Sequence, residues 1–260
     1  MNIFVFVKKV PDTESKIRID HEANSIIEEG LSFVINPYDE IAVEEALRLK
    51  AAGEATVTVF SLGAEDSIPI LKKALAMGAD EAVLLKDDLA ESYDGLRTAR
   101  ILAQALKTKY SDFNLLFFGK QSVGADNSQV PSMVAELLGL PQVNVVTKLE
   151  IDGNTGSAHR EIEGAVEKIV FSLPAVISAQ KGLNEPRYET LKGIMAAKRK
   201  DIPVIEVQDL GLDADQLVPQ LELIKMESPP PRDAGKIIEE EPGVAAKKIV
   251  EYLREDAKAL

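Results

Sequence analysis

Short apolar runs alternate with helical patterns from residue 3 to residue 146, and this alternation limits the possible folds of the chain more than any other feature. The run from Ile3 to Val7 is apolar throughout, which is typical of a strand buried on both faces of a parallel sheet. Asn36 and Pro37 then open a helix that ends at Gly53, with Asn at the N-cap and Pro at N1. Right-handed crossovers between such units predict an α/β fold with an open, mostly parallel sheet and helices on both faces. The predicted strands are 3–7, 55–62, 81–85, 114–118 and 142–146, and the predicted helices are 36–53, 66–77, 94–109 and 131–138.

The pattern changes after residue 146. Residues 147–179 contain a DGNTG turn and two alternating segments joined at Gly164, which predict antiparallel hairpins added to the edge of the sheet. Residues 203–207 form a last predicted strand. We therefore expect a nucleotide-binding α/β domain at 1–210, followed at 211–260 by an arm with one helix at 244–260. Such an arm either holds a partner chain or docks its helix on its own domain.

Composition excludes several classes of function. The chain has 260 residues, no cysteine and only His21 and His159, which argues against thiolate chemistry, iron–sulfur clusters, His-based triads and multi-His metal sites. Its net charge of −13 disfavours nucleic acid as a partner. The N-terminus lacks the features of a signal peptide and no apolar run is long enough for a membrane span, so we expect a cytoplasmic protein without membrane insertion.

The loop at residues 118–139 carries the strongest local indication of a ligand. It follows a buried strand, contains Gly119 and Gly124, and leads through Asn127 to a helix with Pro131 in its first turn. This arrangement directs backbone N–H groups and a helix dipole to the carboxyl edge of the sheet, where phosphates bind. Ordinary strand-to-helix loops share these features, and neither a dinucleotide fingerprint nor a P-loop is present.

Residues 183–200 form the most basic run of this acidic chain. A solvated helix face is the default interpretation of such a run. The alternative is a docking loop, in which an exposed Leu191 beside lysines anchors a weak contact with an acidic partner.

Seven segments in this order resemble the β subunit of the electron transfer flavoprotein, and the resemblance covers nearly the whole chain. The segments are KKVPD at 8–12, NPYDEIAVEEALRLK at 36–50, LAMGAD at 75–80, GKQ with DNSQ at 119–129, HREIEGAVEKIVFSLPAVISA at 159–179, LNEPRYETLKGIMAAKRK at 183–200 and SPPPRDAGK at 228–236.

The resemblance implies a heterodimer with an α subunit that carries the redox-active FAD, and a β subunit that catalyses no reaction on its own. The implied fold is similar to the adenine nucleotide alpha hydrolase-like fold and holds a structural AMP. Electrons would come from an acyl-CoA dehydrogenase or a related enzyme and pass to a quinone reductase or another acceptor. The implied nucleotide contacts are Phe6, Asn36, Pro37, Tyr38, Asp39, Leu62, Gly119, Lys120, Gln121, Ser122, Val123, Gly124, Ala125, Asp126, Asn127, Ser128, Gln129 and Val130.

The resemblance also leaves an alternative open. In electron-bifurcating members a second FAD, reduced by NADH, replaces AMP, and VPDT with Thr13 is similar to that group. The DNSQ loop and the C-terminal segments are similar to the ordinary members, so we expect AMP. Val130 stands where many members have Thr, which removes one hydroxyl contact. A homodimeric adenine-nucleotide-binding protein of the same fold is a more remote alternative.

By the same resemblance, the basic run contains the loop through which the family docks to acyl-CoA dehydrogenases, with Leu191 as its apolar anchor. The implied docking residues are Tyr188, Glu189, Thr190, Leu191, Lys192, Gly193, Ile194, Met195 and Lys198.

Overall fold

A nine-stranded sheet forms the centre of the chain in a computed structural model that describes residues 1–53, 55–87, 89, 94–230 and 235–260. The strands are β1 (Asn2–Phe6), β2 (Lys9–Pro11), β3 (Ile19–Asp20), β4 (Ser25–Ile26), β5 (Phe33–Ile35), β6 (Thr56–Gly63), β7 (Glu81–Lys86), β8 (Leu115–Gly119), β9 (Gln142–Asp152), β10 (Thr155–Ile162), β11 (Ala165–Ser172), β12 (Ala175–Ala179) and β13 (Val204–Glu206). The helices are α1 (Pro37–Ala52), α2 (Ile68–Met77), α3 (Gly95–Thr108), α4 (Val130–Leu138), α5 (Leu191–Ala197), α6 (Ala214–Leu217) and α7 (Pro242–Glu255), with 3-10 turns at Glu65–Ser67 and Val207–Leu210.

The order of strands in the sheet is β11-β10-β9-β12-β8-β1-β6-β7-β13. Neighbouring strands pair parallel throughout the stretch β9-β12-β8-β1-β6-β7-β13 of the sheet. At its other end, β10 pairs antiparallel with both β9 and β11. The prediction of an α/β fold with a mostly parallel sheet and an antiparallel extension is therefore confirmed.

Alternate side chains of β1 explain why helices cover both faces of the sheet. Ile3 and Val5 lie in one buried cluster with residues of α1 and α2, and Phe4 and Phe6 lie in a second cluster with residues of α3 and α4. Successive side chains of a strand point to opposite faces, so a continuous apolar run requires a helix layer on each side. The result is a three-layer arrangement.

The extension ends in β11, which is the edge strand of the sheet. On this strand Val166 and Val170 are 60% and 66% exposed, with Lys168 between them on the same face. Strand β9, at the start of the extension, continues to Asp152, beyond the predicted end at residue 146, because it pairs with β10 as well as with β12.

Residues 9–35 hold two small antiparallel pairs that the sequence pattern did not predict. Strand β2 pairs with β5, and β3 pairs with β4. Each strand is only two or three residues long. No run of that length can show a hydrophobic period, so periodicity alone could not predict these strands.

The first part of the segment after residue 210 packs on the body of the protein. Leu212 and Leu217 contact the buried cluster beneath α3 and α4. Arg97 Nε donates to the Leu217 carbonyl at 2.6 Å, and the backbone N–H of Gln220 donates to Asp94. The attachment continues beyond this stretch, since the Asn24 side chain binds the main chain of Leu223 and Met226.

The far end of the arm is the helix α7, which starts at Pro242, two residues before the predicted start. Val244, Ile249, Val250 and Tyr252 of α7 are all exposed. In the motif SPPPRDAGK, residues 231–234 lie outside the described residues. No helix in the described ranges is both long and apolar enough to cross a bilayer.

Candidate nucleotide site and docking segment

A cavity of about 130 Å³ lies where β6 and β8 end and where α3 and α4 begin. This is the carboxyl edge of the parallel strands, the position at which open α/β sheets bind ligands. The residues that line it are Lys8, Asp39, Leu62, Asp94, Gly95, Thr98, Phe118, Gly119, Lys120, Gln121, Ser122, Ala125, Asn127, Gln129, Val130 and Pro131.

Asn36 occupies the predicted N-cap position of α1, but its side chain makes no capping hydrogen bond. The Asn36 amide donates instead to the Gln121 carbonyl at 2.8 Å, and its Oδ1 accepts from the backbone N–H of Val123 at 3.1 Å. The prediction of a side-chain cap is thus corrected: this buried amide holds the loop after β8 because both of its polar atoms face that loop.

Asp39 joins the ends of two neighbouring strands. Its Oδ2 accepts from the backbone N–H of Lys8 at 2.8 Å and its Oδ1 from that of Gly119 at 2.9 Å. Burial raises the pKa of the Asp39 carboxyl to about 7, although both hydrogen bonds favour the charged form. Asp39, which lines the cavity, therefore titrates near neutral pH.

Gly119 permits the close approach of β8 to α1. A Cβ atom at this position would lie 2.4 Å from Asp39 Oδ1 and 2.7 Å from the carbonyl carbon of Tyr38. Backbone cannot shift aside as a flexible side chain can, so only glycine fits here.

The loop between β8 and α4 is held by bonds within itself. Gln121 Nε2 donates to Asp126 Oδ1 at 2.6 Å, and the Ser128 hydroxyl donates to Gln121 Oε1 at 3.0 Å. Gly124, Asp126 and Ser128 adopt positive φ angles. Because glycine and Asp tolerate this region better than most residues, the sequence GADNS suits so tight a course.

The N-terminus of α4 presents backbone donors to the cavity. The side chain of its N-cap residue Gln129 makes no capping hydrogen bond, so the N–H groups of Val130 and Ser132 receive no side-chain cap. The first turn of α3 lies close by, since a Cβ on Gly95 would be 3.2 Å from Gln129 Oε1. These features suit an anion such as a phosphate group.

The opposite part of the cavity is apolar. Leu62 and Phe118 line it. The ring of Phe6 stacks on that of Phe118, with 4.5 Å between the ring centroids. The combination of helix N-terminal donors with an apolar wall suits a ligand that carries an anionic group beside an apolar one.

The residues predicted to contact the nucleotide lie together, in two shells. Those that line the cavity are Asp39, Leu62, Gly119, Lys120, Gln121, Ser122, Ala125, Asn127, Gln129 and Val130. Those that lie behind or beside it are Phe6, Asn36, Pro37, Tyr38, Val123, Gly124, Asp126 and Ser128. The predicted contacts omit six residues of the lining, namely Lys8, Asp94, Gly95, Thr98, Phe118 and Pro131. Phe118 and Pro131 belong to the loop indicated at 118–139, and Asp94 and Gly95 carried a usable signal as the start of a predicted helix.

The basic run forms an irregular segment at residues 183–190 followed by α5. Tyr188 is 94% exposed, Leu191 77% and Met195 49%, which places three large apolar side chains on the surface of one short stretch. Thr190 caps α5 by accepting from the backbone N–H of Gly193 at 3.0 Å. The position of Gly193 is equally constrained, because a Cβ there would lie 2.1 Å from the Ala76 carbonyl oxygen at the end of α2.

Across the described ranges no group of three or more His, Asp or Glu side chains is placed to hold a metal ion. The described geometry therefore offers a cavity with polar and apolar walls and a separate apolar and basic surface.

Comparison with known proteins identifies the family. A family model described as the electron transfer flavoprotein domain matches residues 23–210. The chain is 42% identical to the electron transfer flavoprotein subunit beta of Bacillus subtilis (strain 168) over 100% of both chains. It is 38% identical to the subunit of the same name from Mus musculus, over 95% of this chain and 96% of that protein. Because these matches span most or all of its length, the chain belongs to the family of electron transfer flavoprotein β subunits.

Proposed function

We propose that the chain is the β subunit of a cytoplasmic, heterodimeric electron transfer flavoprotein and that it binds a structural AMP. Its partner is an α subunit that holds most of the contacts to FAD, and FAD supplies the electron-carrying chemistry of the complex. The β subunit contributes a nucleotide site and a docking surface rather than a catalytic residue. Electrons enter from an acyl-CoA dehydrogenase or a related enzyme and leave to a quinone reductase or another acceptor.

The single observation that carries the nucleotide site is the cavity between the N-termini of α3 and α4. The N–H groups at the start of α4 would bind the phosphate, and Leu62 and Phe118 would pack against the adenine. Asn36 and Asp39 would keep the loop and the strand ends in place from behind. Val130 can offer its backbone N–H to the phosphate but no hydroxyl group.

The nucleotide content of the purified αβ complex tests this function. We expect denaturation to release FAD and AMP in equal amounts, measured by chromatography against standards. Release of two FAD and no AMP would contradict the proposal and would instead favour the bifurcating alternative to which VPDT at residues 10–13 is similar.

The docking surface is proposed to consist of Tyr188, Leu191 and Met195 with the neighbouring lysines. An exposed apolar anchor beside positive charge suits a weak and fast contact with an acidic partner. Such a contact would hold one end of the complex while electrons pass through the α subunit.

We expect Leu191→Ala to weaken this docking. The substitution removes most of an exposed side chain, so the complex should keep its flavin and its thermal stability while its apparent KM with a reduced acyl-CoA dehydrogenase rises about tenfold. The measurement is the rate of flavin bleaching at increasing concentrations of the complex. Leu89→Ala, at another exposed leucine, is the matched control. Unchanged kinetics for Leu191→Ala would contradict the docking role.

A further inference from the structure

The docking residues follow a segment that lacks regular secondary structure. Residues 184–190 form neither helix nor strand, and Tyr188 and Glu189 extend into solvent. A stretch of this kind loses considerable conformational entropy when it binds, unless contacts with the body already restrict it. The structure shows such contacts immediately before the exposed residues.

Arg187 is bound to Glu44 of α1 through three hydrogen bonds. Its Nε donates to Glu44 Oε2 at 2.7 Å and its second guanidinium nitrogen donates to Glu44 Oε1 at 2.9 Å. The backbone N–H of Arg187 donates to Glu44 Oε2 at 3.1 Å. Both the side chain and the main chain of Arg187 are therefore fixed by one carboxylate.

The acid in this pair is buried, whereas the arginine is not. Glu44 is only 5% exposed, while the Arg187 side chain remains 42% exposed. A buried carboxylate requires a partner that neutralises its charge and satisfies its lone pairs. The planar guanidinium group does both at once, which a lysine cannot do.

A second contact supports the same segment three residues earlier. Asn184 Nδ2 donates to Glu45 Oε2 at 2.8 Å and to the Ile41 carbonyl at 3.0 Å. The main chain between Asn184 and Arg187 is thus attached to α1 at both ends. After it, α5 is seated on α2 at Gly193.

We infer that Arg187 is the positioning residue of the docking surface: its ion pair with Glu44 holds residues 188–195 in the binding conformation before the partner arrives. The inference rests on the proposed docking function and goes beyond it, since Arg187 acts through Leu191 and its neighbours instead of touching the partner. Two observations agree with this role, namely the burial of Glu44 and the fixed main chain of Arg187.

Loss of the Arg187–Glu44 ion pair should therefore affect the binding of the dehydrogenase but not the rate of electron transfer once it is bound. Loss of the ion pair leaves the flavin and the electron path unchanged but makes residues 188–195 more mobile. In the reaction of the αβ complex with an acyl-CoA dehydrogenase reduced by its acyl-CoA, the apparent KM for the complex should rise while kcat stays constant.

The test compares Arg187→Gln, Arg187→Lys, Leu191→Ala and the double variant Arg187→Gln/Leu191→Ala in the purified complex. We expect Arg187→Gln to raise the apparent KM about tenfold, with kcat within about a factor of two of the wild type. The apparent KM of Arg187→Lys should lie between those of the wild type and Arg187→Gln, because lysine restores the charge but not the forked hydrogen bonds. Hydrogen exchange of residues 184–195 should accelerate in both Arg187 variants.

The double variant distinguishes positioning from direct contact. If Arg187 acts by positioning Leu191 and its neighbours, the apparent KM of the double variant should rise by clearly less than the product of the two single-variant increases. Arg100→Gln on α3, which makes the same charge change on the opposite face of the sheet, is the control and should behave as the wild type.

Three outcomes would overturn the inference. Effects that multiply fully in the double variant would mean that Arg187 touches the partner itself. An unchanged KM in Arg187→Gln, with a raised KM in Leu191→Ala, would refute positioning and leave the docking surface intact. An unchanged KM in Leu191→Ala would refute the docking surface, and the positioning role with it. If Arg187→Gln does not fold, Arg187→Lys gives the same comparison.

Discussion

Single residues around the cavity show where sequence reasoning reaches its limit. The Asn36-Pro37 pair correctly marked the start of α1, because proline at N1 and Asn before it are strong local signals. The sequence pattern could not show that the Asn36 side chain turns away from its own helix to Gln121 and Val123, 85 and 87 residues further on. That choice depends on which loop the fold brings near, and no local pattern contains it.

Asp39 provides a test by pH. Its pKa of about 7 in the folded chain lies above the usual 3.8. The stability that it contributes is therefore complete below about pH 4 and is lost as the pH rises to about 7. Asn does not titrate, so we expect the apparent Tm of the wild-type complex to fall relative to that of Asp39→Asn between about pH 4 and pH 7, and to level off above pH 7.

The variant should also show a constant loss of stability at all pH values, because its amide NH₂ would face one of two N–H donors. Differential scanning calorimetry across this pH range is the measurement, with Asp209→Asn as an exposed control. Parallel pH profiles for the wild type and Asp39→Asn would contradict the raised pKa of Asp39.

Elements were predicted best where they are long and buried. The strands β1, β6, β7 and β8 and the helices α1 to α4 all lie within a few residues of their predicted bounds, since each has an apolar run or a helical period. Short elements were missed because β3 and β4 are only two residues each, and because β2 pairs with β5 on the far side of them. The course of residues 212–220 on the body was missed for the same reason.

The contact between α1 and β8 gives a prediction at the scale of elements. Gly119→Ala would force β8 away from α1, because the new Cβ overlaps backbone of Tyr38 and the Asp39 carboxylate. We expect a loss of about 1–3 kcal/mol in stability and a lower AMP content of the purified complex.

The control is Gly53→Ala at the other end of α1, where a Cβ meets no atom within 4 Å. Thermal unfolding and nucleotide analysis measure both variants side by side. Wild-type AMP content in Gly119→Ala would show that the close approach of α1 and β8 does not shape the site.

At the scale of the whole molecule, the arm divides into an attached part and an exposed part. Asp94 and Arg97 of the α3 region hold residues up to Gln220. Beyond them the Asn24 side chain binds the main chain of Leu223 and Met226. The apolar side chains of α7 remain exposed, and a partner chain is the simplest cover for them.

A chain that ends at Ser228 tests this assignment. It keeps every contact of residues 212–226 with the body, so we expect it to fold and to retain AMP while its association with the α subunit weakens. Gel filtration of the co-expressed subunits at several concentrations is the measurement. A chain that ends at Asp256, which retains α7 and the Lys236–Asp256 ion pair, is the control. An undiminished heterodimer in the shorter chain would assign the interface to the body.

The cavity lies against the loop that the sequence pattern indicated, but it also has walls outside that loop. The glycines of residues 118–139 and the helix that follows them indicated the loop, and the resemblance added Asn36 to Asp39 and Leu62. Thr98 of α3 was not among the predicted contacts, because it lies on a wall contributed by another crossover unit and the spacing of one loop contains no information about that wall.

The edge strand β11 affects whether the chain stays in solution before it assembles with a partner. A free strand edge is a template for pairing with further copies, and aggregation begins at such edges. Lys168 stands between Val166 and Val170 on the exposed face, so one ammonium group interrupts what would be a continuous apolar ridge. We expect Lys168→Val to lower the concentration at which the unassembled chain precipitates, measured by light scattering. Lys168→Arg should remain soluble, and equal solubility of the Val variant would contradict this protective role.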